Sequence, residues 1–320
     1  MKVGVLTVVL GGQPLPSALD YLKKAGAEAV EIGTGNYPGN SHCPTDDLLA
    51  DAKKLAAWKA EFEKRDLIIS ALSCHGNPLH PNADLAKAHH DTHRKTVLLA
   101  EKVGVQCVVN FSGCPGGPSG GLDPIWVTAP WPDDMAKTLE WQWSEKVLPY
   151  WVGEAKFARD HGVNIGFEMH PNFVVYNPET LLKVRAAAGN NIGANFDPSH
   201  LFWQGIDPCA AVRALKGCIW HVHAKDCKVD CSNADVNGVL DTKSYTDEIN
   251  RAWIFRTVGY GHGLDFWNAF VSSLRLVGYD HVLSIEHEDS LMSGTEGLQK
   301  ALDFLNSVVI KEAAGEAYWA

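Results

Sequence analysis

Residues 154–169 read EAKFARDHGVNIGFEM, and the order of the parts decides the fold. A helical pattern runs to Asp160, Gly162 follows, and a short apolar run ends in Glu168. Glycine just past a helix accepts the left-handed backbone that closes the last turn. The same order recurs in ALDYLKKAGAEAVEIG (18–33), VLLAEKVGVQCVVNF (97–111), LLKVRAAAGNNIGANFD (181–197), AVRALKGCIWHVH (211–223) and SLRLVGYDHVLSIE (273–286). The strand segments are nearly continuous apolar runs, which suits a parallel sheet covered on both faces. Asn177-Pro178 and Asp207-Pro208 each set a capping side chain before a proline at the first helical position.

With KVGVLTVVL and LIISALS added, the spacing predicts eight strands, at about 2–8, 28–33, 67–73, 105–111, 163–168, 192–197, 218–223 and 281–286. Eight strands alternating with helices make an α/β protein with a closed (β/α)8 barrel, the TIM barrel. An open doubly wound sheet would place a Gly-rich phosphate loop after strand one, and VVLGGQPLP lacks the G-x-G-x-x-G spacing. No composition break interrupts residues 1–320, so one barrel domain is expected. Two connections are long: 112–138 after strand four and 227–262 after strand seven. Loops of that length serve as lids or binding loops, or as contacts within a homo-oligomer. Both lie on the C-terminal face, where barrel active sites sit.

The charge balance narrows the partners. A formal net charge of −10 argues against nucleic acid, which demands a basic face, and against an anionic membrane surface. No apolar run approaches the roughly 20 residues of a membrane span. The opening MKVGVLTVVL is brief and β-branched, and reads as a first strand rather than a signal peptide. Eight scattered cysteines without a CxxC pair indicate a reduced, cytoplasmic protein.

Polar residues collect at the predicted C-terminal strand ends: Glu31; His75, Asn77 and His80; Asn110; Glu168, His170 and Asn172; Asp197 and His200; His221, His223, Lys225 and Asp226; Glu286, His287 and Glu288. One such residue means little, but four converging strands carry carboxylates that are costly to bury unless something neutralises them. One divalent cation on Glu168, Asp197, His223 and Glu286 would do so. Three oxygens and one imidazole without thiolate suit Mn²⁺, with Co²⁺, Mg²⁺ and Zn²⁺ as competitors. Alternation puts His221 and His223 on the same side of the strand, with His221 one layer deeper as packing or support.

FEMHPN, NFDPSHL, WHVHAKD and SIEHED, in this order and on these strands, resemble the sugar phosphate isomerase/epimerase superfamily of xylose-isomerase-like TIM barrels. The resemblance implies that Glu168, Asp197, His223 and Glu286 are metal ligands and that Glu168 and Glu286 are the acid/base pair. It sets His200 near the substrate and Arg256, in FRTVGYG, as a basic residue facing it. His170, two positions after the first ligand, is unusual in ketose epimerases. It is similar instead to the catalytic subunits of C-glycoside deglycosidases, where it suits a general base. His75 and Asn110 at the rim, and Trp203 with its flat apolar face, complete the expected sugar contacts.

The expected enzyme is therefore a metal-dependent isomerase or epimerase of an unphosphorylated keto-sugar or inosose-like polyol ketone, working through an enediolate. The alternative is a lyase on 3-keto-glycosides. No covalent nucleophile is implied, since neither a G-x-S-x-G elbow nor a P-loop occurs.

Overall fold

A computed structural model describes residues 1–320. The strands are β1 (Lys2–Leu6), β2 (Ala29–Gly33), β3 (Ile68–Ser73), β4 (Cys107–Asn110), β5 (Asn164–Glu168), β6 (Ile192–Phe196), β7 (Ile219–Ala224), β8 (Asp226–Val229), β9 (Trp253–Arg256) and β10 (Val282–Ile285). Seven of them, β1 to β7, close with β10 into a barrel in the order β1-β10-β7-β6-β5-β4-β3-β2. The pairings are parallel throughout: Leu6 lies beside Glu31, Glu168 beside Asn195, and Ser284 beside His223. This is the (β/α)8 architecture that the helix, glycine, strand order predicts.

The turns that predict it are built as expected. Gly26 and Gly104 take φ of 97° and 77° at the ends of the helices Leu15–Ala25 and Ala83–Val103. Asn177 forms a reciprocal capping box with Thr180 ahead of Pro178–Ala188. The helices bury one face against the barrel, and their apolar side chains join those of the strands in one continuous core that includes Trp151, Phe167, Phe196, Trp267 and Phe270.

Three boundaries differ from expectation. Strand one stops at Leu6, because Thr7–Leu10 tightens into a 3₁₀ turn. In the connection after β4 a helix already begins at Asp133. The connection after β7 is not irregular: β8 and β9 pair antiparallel, Asp226 opposite Arg256 and Val229 opposite Trp253, with a short helix Cys231–Asn237 between them. Asp226, read as the end of strand seven, is instead the first residue of this lid.

Candidate metal centre

β5 ends in Glu168, Asp197 follows β6 by one residue, β7 carries His223, and Glu286 follows β10 by one residue. All four therefore leave the barrel at its C-terminal mouth, and one donor atom from each lies within 4.8 Å of the others. Glu168, Asp197 and His223 are buried. His223 Nδ1 is 3.1 Å from Glu168 Oε2 and 3.3 Å from Glu286 Oε2. Two buried atoms facing this cluster, Asp197 Oδ2 and His223 Nδ1, have no hydrogen-bond partner. Buried polar atoms are nearly always satisfied, so orphans that converge with carboxylate oxygens fit a cation. These are the residues that could hold one.

The other face of each ligand is fixed. His223 Nε2 lies 3.0 Å from both Glu31 oxygens, and Glu31 accepts from Ser284 Oγ at 2.7 Å and from Ser73 Oγ. Burial alone would raise the Glu31 carboxyl, but His223 and His221 hold it down to about 2. A carboxylate behind a histidine orients its ring and raises its basicity. One layer deeper, His221 Nδ1 donates to Asn195 Oδ1 at 2.9 Å, and Asn195 Nδ2 donates to Glu168 Oε2 at 3.2 Å. His221 Nε2 meets Ser70 Oγ at 3.1 Å. His221 thus lies in the supporting position that strand alternation assigns it.

Burial disfavours ionising any of the carboxyls, and their neighbours split them. Glu168 stays well below the usual range because His75, His200 and His223 surround it. Glu286 is lowered by Lys225 and His223. Asp197 is pushed up to about 6, first by burial and then by Glu168 and Glu286, against the pull of His200 and Lys225.

Among the residues expected to touch substrate, His75 and His200 join the cluster. His75 Nε2 is 3.0 Å from Glu168 Oε2, and His200 Nε2 is 3.2 Å from Glu168 Oε1. The other three are engaged elsewhere. Asn110 Oδ1 accepts from the Gly76 and Phe111 amides. Trp203 is buried flat against Trp253, ring centres 4.7 Å apart. Arg256 Nε pairs with Asp289 at 3.1 Å. His170 lies beside the cluster, its ring 4.0 Å from that of His200. Its Nδ1 approaches the Pro171 carbonyl at 2.5 Å; a carbonyl only accepts, so Nδ1 carries the proton and Nε2 keeps its lone pair. Burial, with His200 beside it, pushes this imidazole down to about 3, so the ring is neutral.

Sequence reasoning noted Lys225 and Glu288 at the rim without giving them a role. Lys225, 3% exposed, contacts Glu286 Oε2 at 3.0 Å and pairs with Glu288, with its ammonium 4.2 Å from the Phe255 ring centre. The alternation that aligns His221 with His223 aligns Lys225 with them, and that was the available signal.

The model of the xylose isomerase-like TIM barrel family matches residues 19–308, and the chain belongs to that family. It is 38% identical over 312 residues to YfiH of Bacillus subtilis (strain 168), an uncharacterized protein, covering 97% of this chain and 99% of that one. Among solved structures, IolI with a bound zinc atom matches at TM-score 0.65 and 18% identity, over 98% of this chain and 100% of that chain. A D-tagatose 3-epimerase-like protein matches at TM-score 0.62 and 20% identity, over 96% and 98%. At such identities these two likenesses show the fold.

The lid is fastened over this mouth by one carboxylate. Asp226 accepts from the backbone amides of Cys227, Gly259, Gly261 and His262 at 2.9–3.1 Å, from His262 Nδ1 at 2.7 Å and from Trp267 Nε1 at 3.4 Å. Gly261 comes so close that a Cβ there would lie 2.4 Å from Asp226 Oδ1. Asp226→Asn puts an amide donor where only acceptors fit. It is expected to destabilise the protein by about 3 kcal/mol or more, since each hydrogen bond to a charged group is worth roughly 1.5–3 kcal/mol. Urea unfolding checks this; a change below about 0.5 kcal/mol, the scale of an ordinary surface substitution, would remove the clasp from the account.

Proposed function

We propose that this chain is a divalent-cation-dependent isomerase or epimerase of an unphosphorylated keto-sugar or inosose-like polyol ketone. The observation that carries the reading is the convergence of Glu168, Asp197, His223 and Glu286 with two orphaned buried donor atoms among them. Three oxygens and an imidazole nitrogen favour Mn²⁺, with Co²⁺, Mg²⁺ and Zn²⁺ as alternatives. When bound, the cation polarises the ketone and acidifies the neighbouring C–H.

The chain's own residues supply the rest. Glu168 and Glu286 arrive from β5 and β10 and are both held ionised, so either can take the C–H proton. In isomerisation the resulting carboxylic acid hands that proton to the next carbon. In epimerisation the other carboxylate first takes a proton from solvent and delivers it to the opposite face. His75 and His200 keep Glu168 oriented, Lys225 keeps Glu286 oriented, and each carries protons near the substrate oxygens. A positioned base of this kind contributes about 10²–10⁴ in rate.

A second reading, a lyase acting on 3-keto-glycosides, is favoured by His170. Its free Nε2 offers a separate neutral base beside the cluster. Both readings begin by removing the proton next to the ketone and leaving an enediolate. Incubation with a 3-keto-sugar in D₂O, followed by NMR, separates them. An isomerase or epimerase yields one deuterated product retaining every carbon; a lyase releases the substituent and leaves an unsaturated keto-sugar. If Glu286→Gln leaves both exchange and turnover unaltered, proton chemistry at this centre is the wrong mechanism.

A further inference from the structure

The cavity that opens over the centre measures about 480 Å³ and is lined by His170, Tyr245, Ile254, Phe255, Glu288 and Ser290. A larger one, about 600 Å³, lies at the opposite mouth of the barrel between Ser70, Trp220 and His281, away from the carboxylates. Cavities between about 300 and 1,000 Å³ take drug-sized ligands. A single hexose ring fills only a fraction of the space over the centre.

The two sides of this cavity differ in chemistry. Its floor is polar: His170 stands two residues after Glu168, and Glu288 stands two after Glu286 and pairs with Lys225. Its lid side is apolar. Ile254 and Phe255 come from β9, and the Tyr245 ring stacks on Phe255 with centres 5.8 Å apart and planes 18° from parallel. Phe255 links the two sides, 5.4 Å from His200 and 4.2 Å from the Lys225 ammonium. Tyr245 is 55% exposed, so part of its ring is open to a ligand even with Phe255 stacked on it and the Arg251 guanidinium 4.4 Å from its centre. Trp203 and Trp253, by contrast, spend their faces on each other.

We infer that the lid half of this cavity is a subsite for a ring-sized substituent with a flat apolar face, attached to the polyol ring that reacts over the floor. Tyr245 is its specificity-determining residue, and Phe255, only 8% exposed between Tyr245 and the Lys225 ammonium, positions it. The inference rests on the proposed function for the position of the reacting ring. A flat C–H or π face is shared by an aryl group and by a second pyranose, and both stack on aromatic side chains.

Unoxidised glucosides, which lack the ketone and do not react, test it on the cation-loaded protein by calorimetry. Methyl β-D-glucoside is the reference; phenyl β-D-glucoside and cellobiose carry the two kinds of ring. One of the ring-bearing probes is expected to bind on the order of tenfold more tightly than the methyl probe, the scale of one good aromatic stack. Preference for phenyl assigns the subsite to an aryl group, and preference for cellobiose assigns it to a second sugar. Tyr245→Ala should cut the preference to about threefold or less, whereas Tyr245→Phe should keep it. Phe255→Ala is the second variant and should also reduce it. Equal binding of all three probes overturns the subsite, and so does a preference that survives both alanine variants. Cation uptake measured on the same samples keeps the two readings apart. Ring preference without cation uptake supports the subsite and counts against the metal-dependent reaction; cation uptake without ring preference overturns the subsite alone.

Discussion

Asp197→Ala is expected to strip the protein of its divalent cation and to lower turnover by more than the 10–100-fold, or about that, typical of residues that merely support a ligand. Asp197 contributes a buried oxygen with no other partner, while its second oxygen accepts from the Ser199 amide at 2.8 Å and fixes its direction. Without it, Glu168, His223 and Glu286 keep three donors in a less complete set. Elemental analysis after desalting, with activity followed as Mn²⁺ is added back, measures both effects. Full cation occupancy in the folded variant would show that the ligand set is wrong. The unsubstituted protein offers a companion measurement. Its Asp197 carboxyl is pushed up to about 6, so below that pH the cation must displace a proton. Affinity should climb with pH up to about 6 as Asp197 loses its proton and keep climbing above it, because His223, raised against burial by Glu31 and Glu286, must also release a proton to bind.

Under the lyase reading, in which His170 is the base, His170→Ala is expected to keep the cation and the fold but to lose about 10²-fold or more in turnover, the contribution of a positioned base. The ring lines the cavity and holds its proton against the Pro171 carbonyl, which leaves the other nitrogen as an acceptor. Phe111 and His200 pack beside it, 4.8 and 4.0 Å away between ring centres, so removing it also loosens packing. Turnover at fixed cation occupancy, with thermal stability measured alongside, separates the two consequences. A variant that melts earlier yet turns over within about threefold of the parent would make His170 a packing residue.

Much of the barrel was legible because six helices end at or near a glycine and an apolar strand follows each of them; those are local signals. The four converging residues were legible for the same reason, since strand ends in a parallel barrel all open on one face. What escaped depends on contacts between distant segments. DCKV and WIFR pair across 23 intervening residues, and nothing local announces that Asp226 will face Arg256. Trp203 reads in the sequence as a free face for a sugar, and only its stacking on Trp253 shows that the face is occupied. Glu31 was visible as a lone charge in AVEIG. Its role behind His223 needs the barrel closed, with β1 and β10 lying between β2 and β7.

The clasp at Asp226 has a consequence for how this molecule can diversify. The segment between Asp230 and Ala252 starts and finishes on neighbouring strands that are already fastened to the barrel mouth. Lengthening it adds closure entropy only logarithmically, about 0.6 kcal/mol for each doubling. Relatives can therefore trade whole versions of this segment, with new side chains facing the cavity, while the strand ends beneath keep their geometry. The barrel acts as a socket, and the stretch held by one carboxylate is the interchangeable part.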